Sequence, residues 1–425
     1  MATPGLDARR SALWLIGQVT GEGRLLSELL PDAVRRLDPA ERARAQRLAV
    51  DTLRWMDRAD RMLGPHLSRR PSPEVLNILR LGVVEICLHG GAAHGVVDAA
   101  VSLARMGRKS KPAAGMVNAV LRKVAAAGPE AWAALPVPRL PKWLRGPLIE
   151  AWGKARIEAV EAAHARGAAL DLTPKDGDAA ALAARLGGVA LPTGSVRLAE
   201  PGQVTALAGY DAGDWWVQDA AAAIPARVLG ARAGERVLDL CAAPGGKTLQ
   251  LAAAGAQVTA LDRSEPRMAR VRENLARCGL TAEVVVADAL DWDGDGGFDA
   301  ILLDAPCSAT GTIRRHPDLP QAKDGAEFMG LFSLQAALID RAVALLRPGG
   351  RLVYCTCSIL PDEGEVQLAE ALERHGDMAL DEEALALPGV DPAWRADGGL
   401  RLMPDLWPEL GGMDGFFIAA LRKAG

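Results

Sequence analysis

Apolar residues recur three and four positions apart from Asp7 to about Ala126, as in Ala49-Val-Asp-Thr-Leu53-Arg-Trp55-Met56 and Ile78-Leu79-Arg-Leu81-Gly-Val83-Val84-Glu-Ile86. That is the period of helices with a buried face, and it predicts an all-α domain over 1–134. Breaks fall at Gly64-Pro65, at Arg70-Pro71-Ser72-Pro73 and at His89-Gly-Gly91, with Pro73 where a first helical turn tolerates it. A Pro-punctuated stretch from Leu135 to Trp143 reads as a linker, followed by helical patterns to about Arg166. Short apolar stretches between turn signals over 168–214 predict a small α/β subdomain, so 135–214 is expected to form a linking and accessory region. From Trp215 to the end the pattern changes. Apolar runs of strand length, 236–240, 257–262, 283–288, 298–304 and 350–355, alternate with helical segments such as 266–278 and 334–346. Continuous apolar strands between helices predict a doubly wound parallel sheet, a Rossmann-like domain over 215–425.

Composition supports this division. A chain of 425 residues, about half of them apolar, has material for two or three domains. No run of eighteen uncharged apolar residues and no basic stretch leading into an apolar signal region is found, so a cytoplasmic protein without a membrane partner is expected. The six cysteines lack paired C-x-x-C spacing, so neither a structural metal nor a disulfide framework is expected. Charge is split: residues 1–145 hold 23 Lys and Arg against 13 Asp and Glu, and the remainder 26 against 40. Within 101–125, Arg105, Arg108, Lys109, Lys111, Arg122 and Lys123 stand without any acidic residue, a patch suited to phosphates or else a solvated helix face.

Candidate chemistry lies in the last domain. Cys241, Ala242, Ala243, Pro244, Gly245, Gly246 and Lys247 follow its first strong strand, where open parallel sheets bind ligands. Asp262 ends the next strand, placed to accept from ribose hydroxyls, and Asp288 the one after, suited to the amino edge of an adenine or to capping a helix. The G-x-G-x-x-G fingerprint is absent and the G-x-x-x-x-G-K-[ST] loop is incomplete, which favours S-adenosylmethionine over a dinucleotide. Cys307 and Cys357 follow two strands that could be neighbours. Carbon 5 of cytosine is a poor nucleophile, and thiolate addition to carbon 6 activates it. Asp304, three residues before Cys307, is placed to assist at the ring nitrogen, and a base must then remove the carbon 5 proton. Cys355 reads as buried within the sheet, on the same face as Cys357, and Cys87 and Cys278 as buried helix residues.

From Gln218 to the end the chain resembles the Nol/Nop/Sun family of RNA cytosine-5 methyltransferases, in Asp239-Leu-Cys-Ala-Ala-Pro-Gly-Gly-Lys-Thr248, Asp304-Ala-Pro-Cys-Ser308, Gly311-Thr-Ile-Arg-Arg-His-Pro-Asp318, Thr356-Cys-Ser358 and Asp414-Gly-Phe-Phe417. The resemblance implies that Cys357 is the nucleophile, that Cys307 assists breakdown of the covalent adduct, and that Asp304 contacts the cytosine. It also implies that 241–247, Asp262, Asp288 and Asp304 hold S-adenosylmethionine. Residues 1 to about 130 resemble the NusB-type helical RNA-binding domain, most clearly in Gly115-Met-Val-Asn118-Ala-Val-Leu-Arg122. Together the halves resemble the branch of the family that acts on bacterial small-subunit ribosomal RNA, with 168–214 as a small RNA-recognition-like extension. Two positions depart from the family pattern: Gly364 stands between Glu363 and Glu365 in place of Asn, and Cys355 in place of a small residue. With two Tyr and five Phe, RNA binding is expected to rest on phosphate contacts, with Arg314 and Arg315 joining the basic patch. The expected protein is a monomer that methylates ribosomal RNA. A transfer-RNA methyltransferase and a non-catalytic RNA-binding assembly factor are the alternatives.

Overall fold

Among the described residues the helix signals in the first part of the chain become nine helices, seven of which place an apolar stripe against one shared core. The structure, a computed structural model, describes residues 5–199 and 202–425. It divides into two units: one runs to Gly167 and takes in Ile313–Gly325, and the other comprises Ala168–Thr312 and Ala326–Gly425. In the first unit α1 (Leu6–Glu22), α2 (Leu26–Ala33), α3 (Pro39–Arg54), α4 (Met56–Leu63), α5 (Pro73–Cys87), α6 (Ala93–Met106) and α7 (Ala114–Ala133) enclose the core, and α8 (Lys142–Trp152) and α9 (Lys154–Arg166) follow. Asp38 caps α3 by accepting from Glu41 N at 2.9 Å, and Pro73 occupies the first turn of α5 as the sequence predicts.

Every residue of α5 from Val75 to Cys87 is buried, so its charged groups need partners. Arg80 meets both carboxylate oxygens of Asp60 at 2.6 Å, and Glu85 takes Arg9 at 2.7 and 2.9 Å. The helices α8 and α9, expected to belong with the accessory region, instead complete the first unit. Leu144, Leu148, Ile157 and Val160 are buried, Glu161 takes Arg145 at 2.7 Å, and Arg54 at the end of α3 donates to His164 O at 2.8 Å. The segment 313–325 is held in the same unit. Arg54 also donates to Arg314 O at 2.8 Å, and Leu26 N donates to Asp318 Oδ2 at 2.8 Å.

The second unit opens with β1 (Leu170–Pro174), α10 (Ala179–Leu186), β2 (Val189–Ala190), β3 (Val196–Leu198) and β4 (Trp215–Val217), an antiparallel sheet of order β2-β3-β1-β4. This is the expected small α/β element, but it belongs with the catalytic region and its last strand lies past residue 214. Asp171, fully buried, takes Arg197 at 2.7 Å twice and Ala220 N at 3.1 Å, while Arg197 donates to Leu410 O and Gly412 O at 2.7 Å. That buried pair fastens the small sheet to the rest of the unit.

The large sheet is built from β5 (Arg236–Leu240), β6 (Gln257–Asp262), β7 (Glu283–Val286), β8 (Phe298–Asp304), β9 (Leu346–Thr356), β10 (Met378–Leu380), β11 (Arg395–Ala396), β12 (Gly399–Leu402) and β13 (Phe416–Lys423). Their order is β11-β12-β13-β9-β8-β5-β6-β7, with β10 beside β13. The helices are α11 (Ala220–Leu229), α12 (Gly246–Ala253), α13 (Glu265–Cys278), α15 (Phe328–Leu345) and α16 (Glu365–Arg374), while the one-turn α14 (Leu319–Ala322) lies in the first unit. Strands β5 to β9 pair in parallel as the alternation predicts. The sheet as a whole is mixed rather than parallel: β13 runs antiparallel to β9, β10 and β12 each pair antiparallel with β13, and β11 turns back tightly on β12. Strand order reverses at β5, between β8 and β6, so the carboxyl ends of β5, β6, β8 and β9 frame the crevice where such sheets bind ligands.

Candidate active site

The turn after β5 is shaped by its backbone. Cys241 has φ 61° and Gly245 has φ 102°, a region that favours glycine, and a Cβ on Gly245 would press on Val271 at 3.2 Å. Ala242 N donates to Leu261 O at 3.0 Å and Ala243 N to Asp262 Oδ2 at 3.3 Å, so the turn is stitched to the end of β6. Ala242 and Ala243 are buried, Pro244 is exposed, and Gly246 begins α12. Asp262 also accepts from Ser264 N at 2.9 Å and lies 3.7 Å from Arg267. Burial, with Asp262 beside it, pushes the Cys241 thiol well up, so it stays a neutral wall of the turn. Asp288 is exposed two residues beyond β7 and accepts from Leu290 N at 3.0 Å, capping a turn rather than a helix.

Beneath the turn, Asp239 of β5 is fully buried. Its Oδ2 accepts from Thr248 Oγ1 at 2.5 Å, while Oδ1 has no partner among the described residues. Burial pushes its carboxyl up to about 7. The crevice is thus rich in acceptors, and a sulfonium, an ammonium, two ribose hydroxyls and an adenine amino group are the donors and cations that such a set takes. This donor and cation set fits S-adenosylmethionine; of the candidate cofactor residues, 241–247 and Asp262 meet at the crevice with Asp239 beneath, and Asp288 lies two residues past β7.

Lys247 turns away from the turn onto Asp304 at the end of β8. Its Nζ lies 2.8 Å from Asp304 Oδ2 and 5.3 Å from the Phe416 ring centroid. Burial works against the ammonium, but Asp304, together with Cys355 and Asp239, outweighs it and the pKa of Lys247 is raised. Asp304 Oδ1 receives the buried Cys355 thiol at 3.4 Å, a thiol kept protonated by burial and by Asp304.

The two candidate thiols meet. Strands β8 and β9 are parallel neighbours, and beyond their ends Cys307 Sγ and Cys357 Sγ lie 3.4 Å apart, both half-buried. The Cys357 contact, then burial, raises the Cys307 pKa. Gly311 N donates to Cys357 O at 2.9 Å and Gly415 N to Gly311 O at 2.8 Å, which joins three of the sequence motifs. Behind the thiols lies a residue to which sequence reasoning gave no role: Glu363, fully buried, which accepts from Ser308 N and Oγ and from Gln335 Nε2. In sequence it is one acid of a polar Pro-Asp-Glu turn, marked only as one of the two glutamates around the departure at Gly364. Asp239 had a signal, since an acid inside an otherwise apolar strand is costly unless it is used.

In the first unit Arg105, Arg108, Lys109, Lys111, Arg122 and Lys123 are all exposed around the turn from α6 to α7, with no ion pair among the described residues. Arg315 is half-buried. Arg314 corrects the expectation: its side chain is fully buried, beside His164 and Arg54, and offers no charge to a phosphate.

Comparison with known proteins accords with both units. A family described as 16S rRNA methyltransferase RsmB/F matches residues 226–422, and the NusB family matches residues 6–126. The ribosomal RNA small subunit methyltransferase B of Erwinia tasmaniensis is 35% identical over 98% of this chain and 99% of its own length. The protein of the same name from Pseudomonas putida is 36% identical over 98% and 99%. A methyltransferase homologue from Pyrococcus horikoshii has a solved structure that is 29% identical, with a TM-score of 0.55 over 67% of this chain and 95% of its own. The chain therefore belongs to the 16S rRNA methyltransferase RsmB/F family of S-adenosylmethionine-dependent enzymes, and it carries a NusB-family domain ahead of the catalytic one.

Proposed function

We propose that this protein methylates carbon 5 of a cytosine in 16S ribosomal RNA through a covalent bond between Cys357 Sγ and carbon 6 of the base. The observation that carries this reading is the 3.4 Å approach of Cys307 and Cys357 beside the Asp304–Lys247 pair, at the mouth of the cofactor crevice. Bound S-adenosylmethionine supplies an electrophilic methyl group on a sulfonium. Cys357 as thiolate forms the carbon 6–sulfur bond, which moves an electron pair toward carbon 5. Asp304 Oδ2 is occupied by Lys247, and Oδ1, with only the long Cys355 contact among the described residues, accepts from the exocyclic amino edge of the cytosine.

Cys307 acts second. The foremost cause of its raised pKa is the hydrogen bond with Cys357, and that cause disappears once Cys357 sulfur is a thioether. Cys307 then gives its proton to solvent and takes the proton from carbon 5. The carbon 6–sulfur bond breaks and Cys357 returns as thiolate; with the methyl group moved from the sulfonium to carbon 5, the net products are one methylated base, S-adenosylhomocysteine and one proton.

The exposed basic residues of α6 and α7 support RNA as the substrate. A groove of about 640 Å³ between these helices is walled by Val97 and Val101 and lined by Arg105, Arg122, Asn118 and one carboxylate, Asp98, so its guanidinium groups outnumber its acid where a phosphate backbone would lie. Labelled S-adenosylmethionine with protein-free, unmethylated small-subunit ribosomal RNA tests the reaction. Label is expected in 5-methylcytosine with the wild type and not with Cys357→Ala. With 5-fluorocytosine RNA, Cys307→Ala is expected to retain the covalent adduct and Cys357→Ala to form none. An adduct lost in Cys307→Ala but kept in Cys357→Ala would reverse the assignment.

A further inference from the structure

The two thiols stand on separate turns, each beyond its own strand, and nothing in the strand pairing alone brings their sulfur atoms within 3.4 Å. Glu363 spans both turns. Its Oε1 accepts from Ser308 N at 2.8 Å and Gln335 Nε2 at 3.0 Å, and its Oε2 accepts from Ser308 Oγ at 2.5 Å. Ser308 directly follows Cys307. Gln335, reaching in from α15, also donates to Pro306 O at 2.8 Å, on the other side of Cys307. The main chain of Glu363 grips the second turn: its carbonyl accepts from Thr356 Oγ1 and Tyr354 OH, each at 2.9 Å, and Thr356 directly precedes Cys357. Ser308 Oγ and Ser358 Oγ, each next to a cysteine, lie 3.2 Å apart.

The carboxylate is fully buried, with three donors and no cation at ion-pair distance among the described residues. A buried carboxylate without a counter-ion is costly, and an apolar substitute in the same place would leave three donors unpaired instead. We propose that Glu363 is a positioning residue: it locks the turn that carries Cys307 against the turn that carries Cys357, so that both sulfurs address one base. The proposal rests on the two-thiol reading above.

Glutamine separates geometry from charge at this position. Its amide oxygen takes the place of Oε1, accepting from Ser308 N and Gln335, while its amide nitrogen donates to the Ser308 hydroxyl, which turns its own hydrogen to Ser358. Alanine removes all three bonds. The experiment is steady-state methylation of ribosomal RNA by the full chain, with cofactor affinity measured alongside. Glu363→Ala is expected to lower kcat about 30- to 100-fold, as a misplacement on the order of 1 Å does, with KM for RNA and cofactor affinity within about twofold. Glu363→Gln is expected to restore kcat to within about fivefold of wild type. It also moves the limb of the kcat–pH profile that belongs to Cys307 to lower pH, because the carboxylate is one of the charges that raise that thiol, after Cys357 and burial. Gln335→Ala, a milder change, is expected to lower kcat about 3- to 10-fold with KM unchanged.

Wild-type kcat in both Glu363→Ala and Gln335→Ala overturns the proposal. So does a loss that is equal in Ala and Gln and accompanied by lost cofactor affinity. The Cys357→Ala enzyme distinguishes the two levels: if it still methylates, the two-thiol reading falls and the proposal with it. If it is inactive beside a fully active Glu363→Ala, only the proposal falls.

Discussion

Three aspartates stand at or one residue before the ends of adjacent strands of the large sheet, and what answers each charge sets what each can do. Asp262 has two backbone N–H groups and Arg267, and Asp304 has Lys247, but Asp239 has one hydroxyl and an oxygen with no partner among the described residues. Its carboxyl, pushed up to about 7 by burial, holds its proton in the folded chain over a range in which the unfolded chain has lost it. Between about pH 4 and pH 7 the folded state therefore binds more protons than the unfolded one, and this group lowers stability as pH rises. Below that window both states are protonated and no penalty remains. Above it the full cost of burying the charge is present, up to about 4 kcal/mol for a shift of about three pH units. Denaturant unfolding of wild type and Asp239→Asn at pH 4.5 and pH 8 checks this. The difference is expected to move in favour of the variant as pH rises, whereas a constant difference would mean that the carboxyl is already ionised in the folded protein.

At the scale of elements, the site is a set of turns held by backbone. Gly311 shows how little room they leave: a Cβ there would lie 2.0 Å from Gly415 O, and backbone cannot yield as a side chain tip does. Gly311→Ala is expected to cost about 2–3 kcal/mol and to abolish methylation while cofactor binding persists, since the backbone hydrogen bonds of this glycine run to Cys357 and Gly415 and not to the 241–247 turn. Thermal melting with a cofactor titration reads both effects, and an active, equally stable variant would contradict the account. Much of this architecture was legible in the chain. The strands β5, β6, β8 and β9 were evident because parallel strands buried on both faces leave continuous apolar runs, and Cys307 and Cys357 fell at strand ends for the same reason. The antiparallel strands β10 to β12 were not evident, because they are short and partly polar, and their pairing depends on β13 far along the sequence. Glu363 and Gln335 were hidden for a related reason. A polar residue in a turn, like Glu363, or on a helix, like Gln335 of α15, reads as solvated unless its tertiary partners are known.

At the scale of the whole molecule, charge and burial pull apart in a way that sequence alone cannot resolve. The basic run Arg314-Arg315 reads as part of a phosphate-binding surface, yet Arg314 is fully enclosed within the helical unit, while the residues of the α6–α7 corner are exposed. The net charge of −4 should repel RNA, so binding must come from local positive charge rather than the total. Each phosphate neutralised by such a residue releases condensed counter-ions and contributes about 0.7 to 0.9 to the slope of log affinity against log salt. The triple variant Arg105→Ala, Arg122→Ala, Lys123→Ala is therefore expected to weaken RNA binding and to reduce that slope by about 2 to 3, with cofactor affinity unchanged. Arg314→Ala is expected to behave in the opposite manner, lowering the melting temperature because it empties a buried site, and leaving the salt slope as it was. Filter binding across salt concentrations, with a melting curve for each variant, separates the two. If the triple variant keeps the wild-type slope, the phosphate contacts lie elsewhere on the molecule; if Arg314→Ala lowers the slope without loss of stability, that guanidinium reaches RNA in the complex despite its burial in the free chain.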